Sequence, residues 1–469
     1  MKHPFLAAIL CLCTFIPSLA SHRSVSITQA GSLSRAINSS EVRALDSLTV
    51  AGPMNLSDLR VVWDGAYYGS LKFLDISKAL FEGNKIPDYA FYNPDKQKGG
   101  IETKSFLYID EIILPDNIVE FGKYAFRYTY LTKMDIPQTL RKLGTGAFFV
   151  CNLPFDGRAD SLFRLPEGIE EIPDSCFTGS VKGNTFHFPS TLKRLGDYNF
   201  SNCVIKHVTF PENMEEIGDH VFESTYIENA HFAGNCRKIG ISFLSDCQFL
   251  TEANLPNDID TINSSYLAYT FVKSIEIPSS VKVIKTNAFW KNGSLKSITF
   301  NEGLEEIEEN AFNHSVVNSI TLPSTLERIG QYAIIANNIY CLATTPPKVE
   351  SGAPSSNFTL YVLPGLKSVY ESAPGWSAAT EIIEIAAEQF PVAGIKTIDA
   401  AADTEITVTS AEGGILVNSI KNGPVNFSVY STDGTLIHSA TANPEAEVKL
   451  PAGIYVVATA DEAVKVAVR

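Results

Sequence analysis

The residues able to do chemistry in this chain are few, and their spacing decides what they can do. Three of its 8 histidines, His187, His207 and His231, fall on or beside short alternating apolar runs. His187 and His231 sit two repeat units apart and His207 precedes the run between them, so His207 is placed to approach either neighbour. Neutral imidazole is a common metal ligand, but ligating histidines are usually oriented by a carboxylate partner. No such partner stands in the pattern, so solvent-facing strand histidines are expected, with no metal and no cofactor. Glu305, Glu306, Glu308 and Glu309 form the densest acidic run. Paired carboxylates act in glycoside hydrolysis when they converge across a cleft, whereas repeat spacing puts these four on a solvated turn. Gly-x-Ser-x-Gly, His-Glu-x-x-His, phosphate-loop and EF-hand patterns are all missing, and with them the mechanical signatures of the common hydrolases and nucleotide-binding enzymes. The sequence therefore reads as non-enzymatic.

What positions these residues is a repeat. An apolar-Pro dipeptide recurs at Leu114-Pro115, Ile136-Pro137, Leu165-Pro166, Phe188-Pro189, Phe210-Pro211, Leu255-Pro256, Ile277-Pro278 and Leu322-Pro323, with Phe232-Ala233 and Phe300-Asn301 filling the gaps. The interval is 22 or 23 residues except for one of 29, which holds an insertion near Asn152–Ser161. A second signature follows each dipeptide, as in Leu143-Gly144-Thr145-Gly146-Ala147-Phe148. Within a unit, alternation at Val208 and Phe210 predicts a short strand with one face inward. Pro211 ends it, because proline cannot donate the next ladder hydrogen bond. One unit has too little core to fold alone, so neighbours must stack.

The position three residues beyond the convex apolar residue reads Thr129, Cys151, Ser180, Cys203, Thr225, Cys247, Thr270, Asn292, Ser315. All are small and polar or thiol-bearing, as a tight inner turn needs for satisfying backbone groups without bulk. Three of the six cysteines beyond residue 20 (Cys151, Cys176, Cys203, Cys236, Cys247, Cys341) sit in this column, two units apart. Strands stack at about 4.8 Å, which separates these thiols by roughly 10 Å, beyond the ~7 Å reach of a disulfide. Buried free thiols are predicted there, and Cys176, in the alanine place of the Ala-Phe pair, is expected in the core.

Leu131-x-x-Met134-x-Ile136-Pro137-x-x-Leu140-x-x-Leu143-Gly144-x-x-Ala147-Phe148-x-x-Cys151 resembles the leucine-rich repeat of BspA-like surface proteins of Bacteroidetes type. Upstream, Leu45-x-x-Leu48-x-Val50 and Leu71-x-x-Leu74-x-Ile76 look like opening repeats after an amphipathic stretch near Leu33–Leu45. Downstream, Thr344-Thr345-Pro346-Pro347, Thr359–Val362 and Tyr370-x-x-x-Pro374-Gly375-Trp376 resemble a terminal unit. Ile262–Leu267 departs from the Gly and Ala-Phe pattern, so one degenerate turn is expected. The resemblance implies an α/β repeat solenoid of short parallel strands.

The ends differ from the middle. Lys2 and His3 precede an apolar run from Phe5 to Ile16, then Pro17-Ser18-Leu19-Ala20. That order reads as a secretory signal peptide cut after Ala20, the run being too short for a span of roughly 20 residues. After residue 385 the period vanishes: 386–402 reads as a small-residue linker, its Phe390-Pro391 an isolated dipeptide. Seven alternating runs follow, with Asp433-Gly434 as a hairpin signal, predicting a small antiparallel β-sandwich over 403–469. The expected organisation is therefore signal peptide 1–20, cap 21–47, repeats 48–385, linker and sandwich. The tail resembles the C-terminal domains of exported Bacteroidetes proteins, some of which are type IX secretion sorting signals, and an accessory immunoglobulin-like module is the alternative.

With 37 Lys+Arg against 52 Asp+Glu, a formal charge of −15 opposes a nucleic-acid partner, which needs a basic stripe. The outward strand positions, Ile113, Asp135, Arg164, His187, Thr209, His231, Asn254, Glu276, Thr299 and Thr321, form a mostly polar column. Its edge runs through Glu111, Lys133, Thr185, His207, Asn229, Glu252, Ser274, Ser297 and Ser319. The resemblance makes this the concave surface. Such surfaces are what repeat proteins bind with, and a mixed polar face suits a protein partner. An exported or surface protein that binds extracellular or host protein through Asp135, Arg164, His187, Thr209, His231, Asn254, Glu276, Thr299 and Thr321 is expected. Glycan is the alternative ligand, and a non-binding scaffold the third reading.

Overall fold

The computed structural model describes residues 21–97, 106–153, 164–315, 317–354, 357–386, 389–391 and, from 406 to 468, the strands of the tail with short adjoining stretches. The expected signal peptide, most of the insertion and linker, and Asp433-Gly434 lie outside the described residues. The chain divides into two compact units, Met1–Pro256 with Ser265–Thr270, and Asn257–Ser264 with Phe271–Arg469.

The first unit opens on a parallel sheet. Strand His22–Ser26 pairs with Ser47–Met54, which pairs with Phe73–Asp75 and through it with Glu111–Ile113. Three helices, α1 (Leu33–Ala36), α2 (Ser39–Arg43) and α3 (Leu56–Tyr68), cover this end. Both α2 and α3 start in capping boxes, from Asn38 with Glu41 and Asn55 with Asp58, which satisfy backbone donors left open in the first turn. Asp58 is buried, yet it accepts from the backbone N–H groups of Gly31, Leu33 and Asn55 at 2.7, 2.8 and 2.9 Å. A buried carboxylate so bonded carries little penalty and ties the cap together.

Repeats follow in parallel register. Strand Val204–Phe210 lies between Lys182–Phe186 and Asn229–Phe232, with Phe186 opposite Val208 and Phe210 opposite Phe232. A second rail of two-residue strands, Glu171–Ile172, Arg194–Leu195, Glu216–Ile217 and Lys238–Ile239, runs beside it. The segments between rails are turns. Each usually places two residues at positive φ, as Tyr198 with Asn202 and His220 with Ser224. Between coils the core is a ladder of stacked rings, Phe91, Phe126, Phe148, Phe177, Phe200 and Phe222, with successive centroids 5.1, 5.3, 5.3, 5.5 and 5.2 Å apart. The alanine beside each phenylalanine is replaced along the chain by Cys176, Asn199, Val221, Phe243 and Tyr266, all buried. Tyr266 is the anchor of the degenerate turn.

In the second unit, Ser274–Ile277 pairs with Ser297–Phe300, and Ser319–Leu322, Asn338–Cys341, Thr359–Val362 and Glu381–Glu384 form a parallel sheet. The terminal turn is closed by buried aromatics: Trp376 Nε1 donates to the Pro347 carbonyl at 2.8 Å and Tyr370 Oη to that of Ala343 at 2.7 Å. The tail forms two antiparallel sheets of three and four strands around Ile415, Val417, Phe427, Val429, Val448 and Val457. Strands Val425–Ser431 and Leu436–Ala442, which flank Asp433-Gly434, pair antiparallel.

Candidate functional site

Parallel pairing fixes which outward side chains become neighbours. In the first unit, Thr185, His207, Asn229 and Glu252 line up on consecutive strands, as do Thr209 and His231 one step further along. Glu111 bridges to Lys133, and the pair is held by an ion pair at 2.5 Å. That carboxylate keeps the Lys133 ammonium above its usual range. Beside them a recess of about 470 Å³ is lined by Glu111, Ile113, Lys133, Asp135 and Arg164 among others. Asp135 and Arg164 thus come together on one recess, and both are exposed.

His187, Thr209 and His231 are exposed on the same unit. His207 directs Nδ1 at Asn229 Oδ1 on the next strand, a hydrogen bond. Among the described residues no group of three His, Cys, Asp or Glu side chains is arranged to hold a metal ion. Asn254 is exposed but committed. Its Oδ1 accepts from Phe232 N at 2.8 Å and its Nδ2 donates to Phe232 O at 3.1 Å, so the amide continues the ladder where strand Glu252–Ala253 stops.

The second unit corrects the expected column. Glu276 is exposed, but Thr299 is only 6% exposed. It stands in register with Glu276 but is itself covered. Thr321 is half-buried and donates Oγ1 to the Pro391 carbonyl at 2.9 Å. The column then continues through Tyr340, Tyr361 and Ile383, each in register with the residue before it. The two tyrosine rings stack at 4.3 Å and 10°, and burial, with Tyr361 adjacent, raises the Tyr340 phenol above its usual range. The sequence pattern missed this pair because the step between strands shortens to 19 residues there, as from Ser319 to Asn338, and the apolar-Pro marker is lost.

A second set of aromatics lies at the leading ends of strands in the first unit. Tyr108 and Tyr130, both exposed, have centroids 5.5 Å apart. Tyr226 stacks on Phe249 at 3.9 Å, with Phe249 49% exposed. Their 22- and 23-residue spacing was the available signal. In the turns, Arg127 lies 4.7 to 5.0 Å from the centroids of Tyr92, Tyr124, Tyr128 and Phe149, an aromatic enclosure already filled by its own cation.

Neither the acidic run nor the thiols offers a reactive group. Glu305 faces Lys282 at 3.2 Å, Glu306 faces Arg328, and Glu308 faces Lys285 at 2.8 Å. Each carboxylate meets a cation of an adjoining coil, which is a ladder and not a cleft. All six cysteines beyond residue 20 are buried and outside any disulfide. Burial pushes the Cys203 thiol up to about 11 and that of Cys176 to about 12, far from the thiolate a nucleophile needs.

Stacked parallel strands of near-constant period, most coils carrying one inward phenylalanine and one outward polar position, define a leucine-rich repeat protein. The BspA-type leucine-rich repeat model matches residues 84–154, 160–271 and 260–351, in six copies, and the chain belongs to that family. Among solved structures it is similar to a leucine-rich repeat protein from Bacteroides ovatus, with 16% identity, 72% of this chain and 84% of that chain covered, and a TM-score of 0.43. It is also similar to a leucine-rich cell surface protein from Faecalibacterium prausnitzii (19% identity, 64% and 82% covered, TM-score 0.33). A third similarity is to the pneumococcal vaccine antigen PcpA (16% identity, 73% and 80% covered, TM-score 0.29). No curated protein matches the chain.

Proposed function

We propose that the chain is exported to the cell surface or beyond and binds extracellular protein through its outward strand face, without catalysing a reaction. The observation that carries this reading is the recess at Glu111, Lys133, Asp135 and Arg164. Charged side chains of both signs surround exposed apolar Ile113 there, a composition that suits a protein–protein contact better than a small-molecule pocket. No helix among the described residues is long and apolar enough to cross a membrane. The test is surface plasmon resonance of residues 21–469 over immobilised extracellular matrix proteins. Asp135→Ala with Arg164→Ala should weaken binding at least tenfold, and equal binding by the double variant would refute the assignment.

Exposed rings favour a second reading. Tyr108 with Tyr130 and Tyr226 with Phe249 give flat apolar surface beside hydrogen-bonding side chains, which is how aromatic rings take a sugar face. Retention on polysaccharide columns, with no binding to matrix proteins, would promote glycan over protein. For the tail, sorting and accessory roles separate on cell fractionation with and without residues 403–469. Loss of surface display on truncation supports sorting.

A further inference from the structure

The chain leaves the strand Glu381–Glu384 and returns over the outward face of its own repeat. Ile385 N donates to the Val362 carbonyl at 3.0 Å, Gln389 N donates to the Ala386 carbonyl at 2.9 Å, and Ala386 N donates to Gln389 Oε1 at 2.9 Å. The next two residues come down on the column Thr321–Tyr340–Tyr361. Phe390 is 5% exposed and meets Tyr340 edge-on, centroids 6.0 Å apart at 67°. Thr321 Oγ1 holds the Pro391 carbonyl at 2.9 Å.

Two features of this contact identify the chemistry it selects. A phenylalanine in a connecting segment that is as buried as a core residue requires an apolar seat, and the Tyr340–Tyr361 stack forms part of it. Edge-to-face geometry against a tyrosine ring rewards an aromatic side chain over an aliphatic one. The hydroxyl of Thr321 reaches a main-chain carbonyl, a group every polypeptide offers. Proline adds a fixed φ and no N–H in need of a partner, which lowers the cost of ordering the segment.

We infer that Thr321, Tyr340 and Tyr361 form a docking site for an extended polypeptide presenting phenylalanine followed by proline, and that Phe390-Pro391 is its tethered occupant, which an external segment displaces. The inference deepens the protein-binding reading and rests on it, naming a partner for one patch of the outward face. An intramolecular occupant competes at an effective concentration of order millimolar, so an external ligand binds only when it is strong or when the tethered pair is removed.

The probe is a fluorescent peptide with the chain's own sequence from 385 to 393, titrated by anisotropy against residues 21–469. Phe390→Ala should bind it at least tenfold more tightly than the unaltered chain. Adding Tyr340→Ala to Phe390→Ala should remove that gain, as should a peptide with its phenylalanine changed to alanine. Thr321→Val in the Phe390→Ala background is a second variant that leaves the rings in place, and it should weaken binding several-fold; circular dichroism checks that each variant folds. Equal binding by the unaltered chain and Phe390→Ala, no binding to either, or binding indifferent to Tyr340 overturns the inference. So does a concentration-dependent dimer that Phe390→Ala abolishes, since the occupant is then a second copy. Failure of the peptide with intact, Asp135- and Arg164-dependent binding to matrix protein sinks the inference alone. Peptide binding without any matrix protein ligand sinks only the broader assignment.

Discussion

Cys247 Sγ lies 3.1 Å from the carbonyl oxygen of Phe222, one coil earlier, and donates its S–H to it. Cys203 does the same to Phe177 at 3.2 Å, Thr225 to Phe200 at 2.6 Å, and Ser180 to Phe148. From Ser180 to Cys247 the alternation of hydroxyl and thiol is therefore one device repeated, a small donor that adds a second bond to the carbonyl of the preceding coil's phenylalanine, whereas Thr270 and Ser315 donate to the Leu267 and Phe312 carbonyls of their own coils. Cys247→Ser should keep the donor and shift the melting temperature little. Cys247→Ala leaves the Phe222 carbonyl with only its backbone bond from Thr225 N, a loss of about 0.5–1.5 kcal/mol, readable as an earlier first transition in thermal or urea unfolding.

Buried thiols also make stability fall in alkali. Burial raises the folded-state value of Cys203 from 9.0 to about 11 and of Cys176 to about 12, so the folded chain keeps protons that the unfolded chain gives up. Their contribution is complete below pH 9 and is lost as pH rises from there through 11 and 12. Each thiol steepens the decline by up to about 1.4 kcal/mol per pH unit inside its window. Melting temperatures measured from pH 7 to 11 should drop more steeply for the unaltered chain than for Cys203→Ser. Thiol reagents at pH 8 should label these cysteines only after denaturation.

Coil spacing leaves no room at Gly196, Gly218 and Gly240, which follow the second-rail strands Arg194–Leu195, Glu216–Ile217 and Lys238–Ile239. A Cβ on Gly240 would stand 2.2 Å from Asp219 Oδ1 and 2.5 Å from the Gly218 carbonyl carbon, so neighbouring backbones must part to admit it. Gly240→Ala should cost about 1–3 kcal/mol, the range for overpacked sites. Gly293 has nothing within 4 Å of a built Cβ and needs no positive φ, so Gly293→Ala should be neutral or stabilise by up to about 1 kcal/mol. Circular dichroism melts of the two variants give the comparison.

Much of this organisation was legible because the repeat is periodic. Alternation at Val208 and Phe210 gave the strand, and the 22-residue step placed Thr185, His207 and Asn229 side by side, as the register has them. The tail's seven runs likewise correspond to its seven strands. What stayed hidden depends on what covers a side chain or on distant contacts. Thr299 and Glu276 share an outward position, yet only Glu276 is exposed. Asn254 looks like a surface amide until its bonds to the Phe232 backbone are seen. Thr321 and Pro391 are 70 residues apart, and no local pattern announces that a linker dipeptide lies on a repeat face.

Salt separates the two classes of ligand proposed for the first unit. Asp135, Arg164 and the Glu111–Lys133 pair are exposed enough for ions to screen, with a Debye length of about 8 Å at physiological strength and about 3 Å at 1 M. A protein partner steered by these charges should associate several-fold more slowly between 0.05 and 0.5 M sodium chloride, and Asp135→Ala with Arg164→Ala should flatten that dependence. A glycan seated on Tyr108 and Tyr130 is held by ring contact, so its affinity should hold constant over the same range and vanish in Tyr108→Ala with Tyr130→Ala. Both rings are exposed, so their removal should leave the melting temperature nearly unchanged. Surface plasmon resonance across the salt series, run on both double variants, reads rate and affinity together. A salt-insensitive ligand that survives the tyrosine variant would exclude both patches as its site.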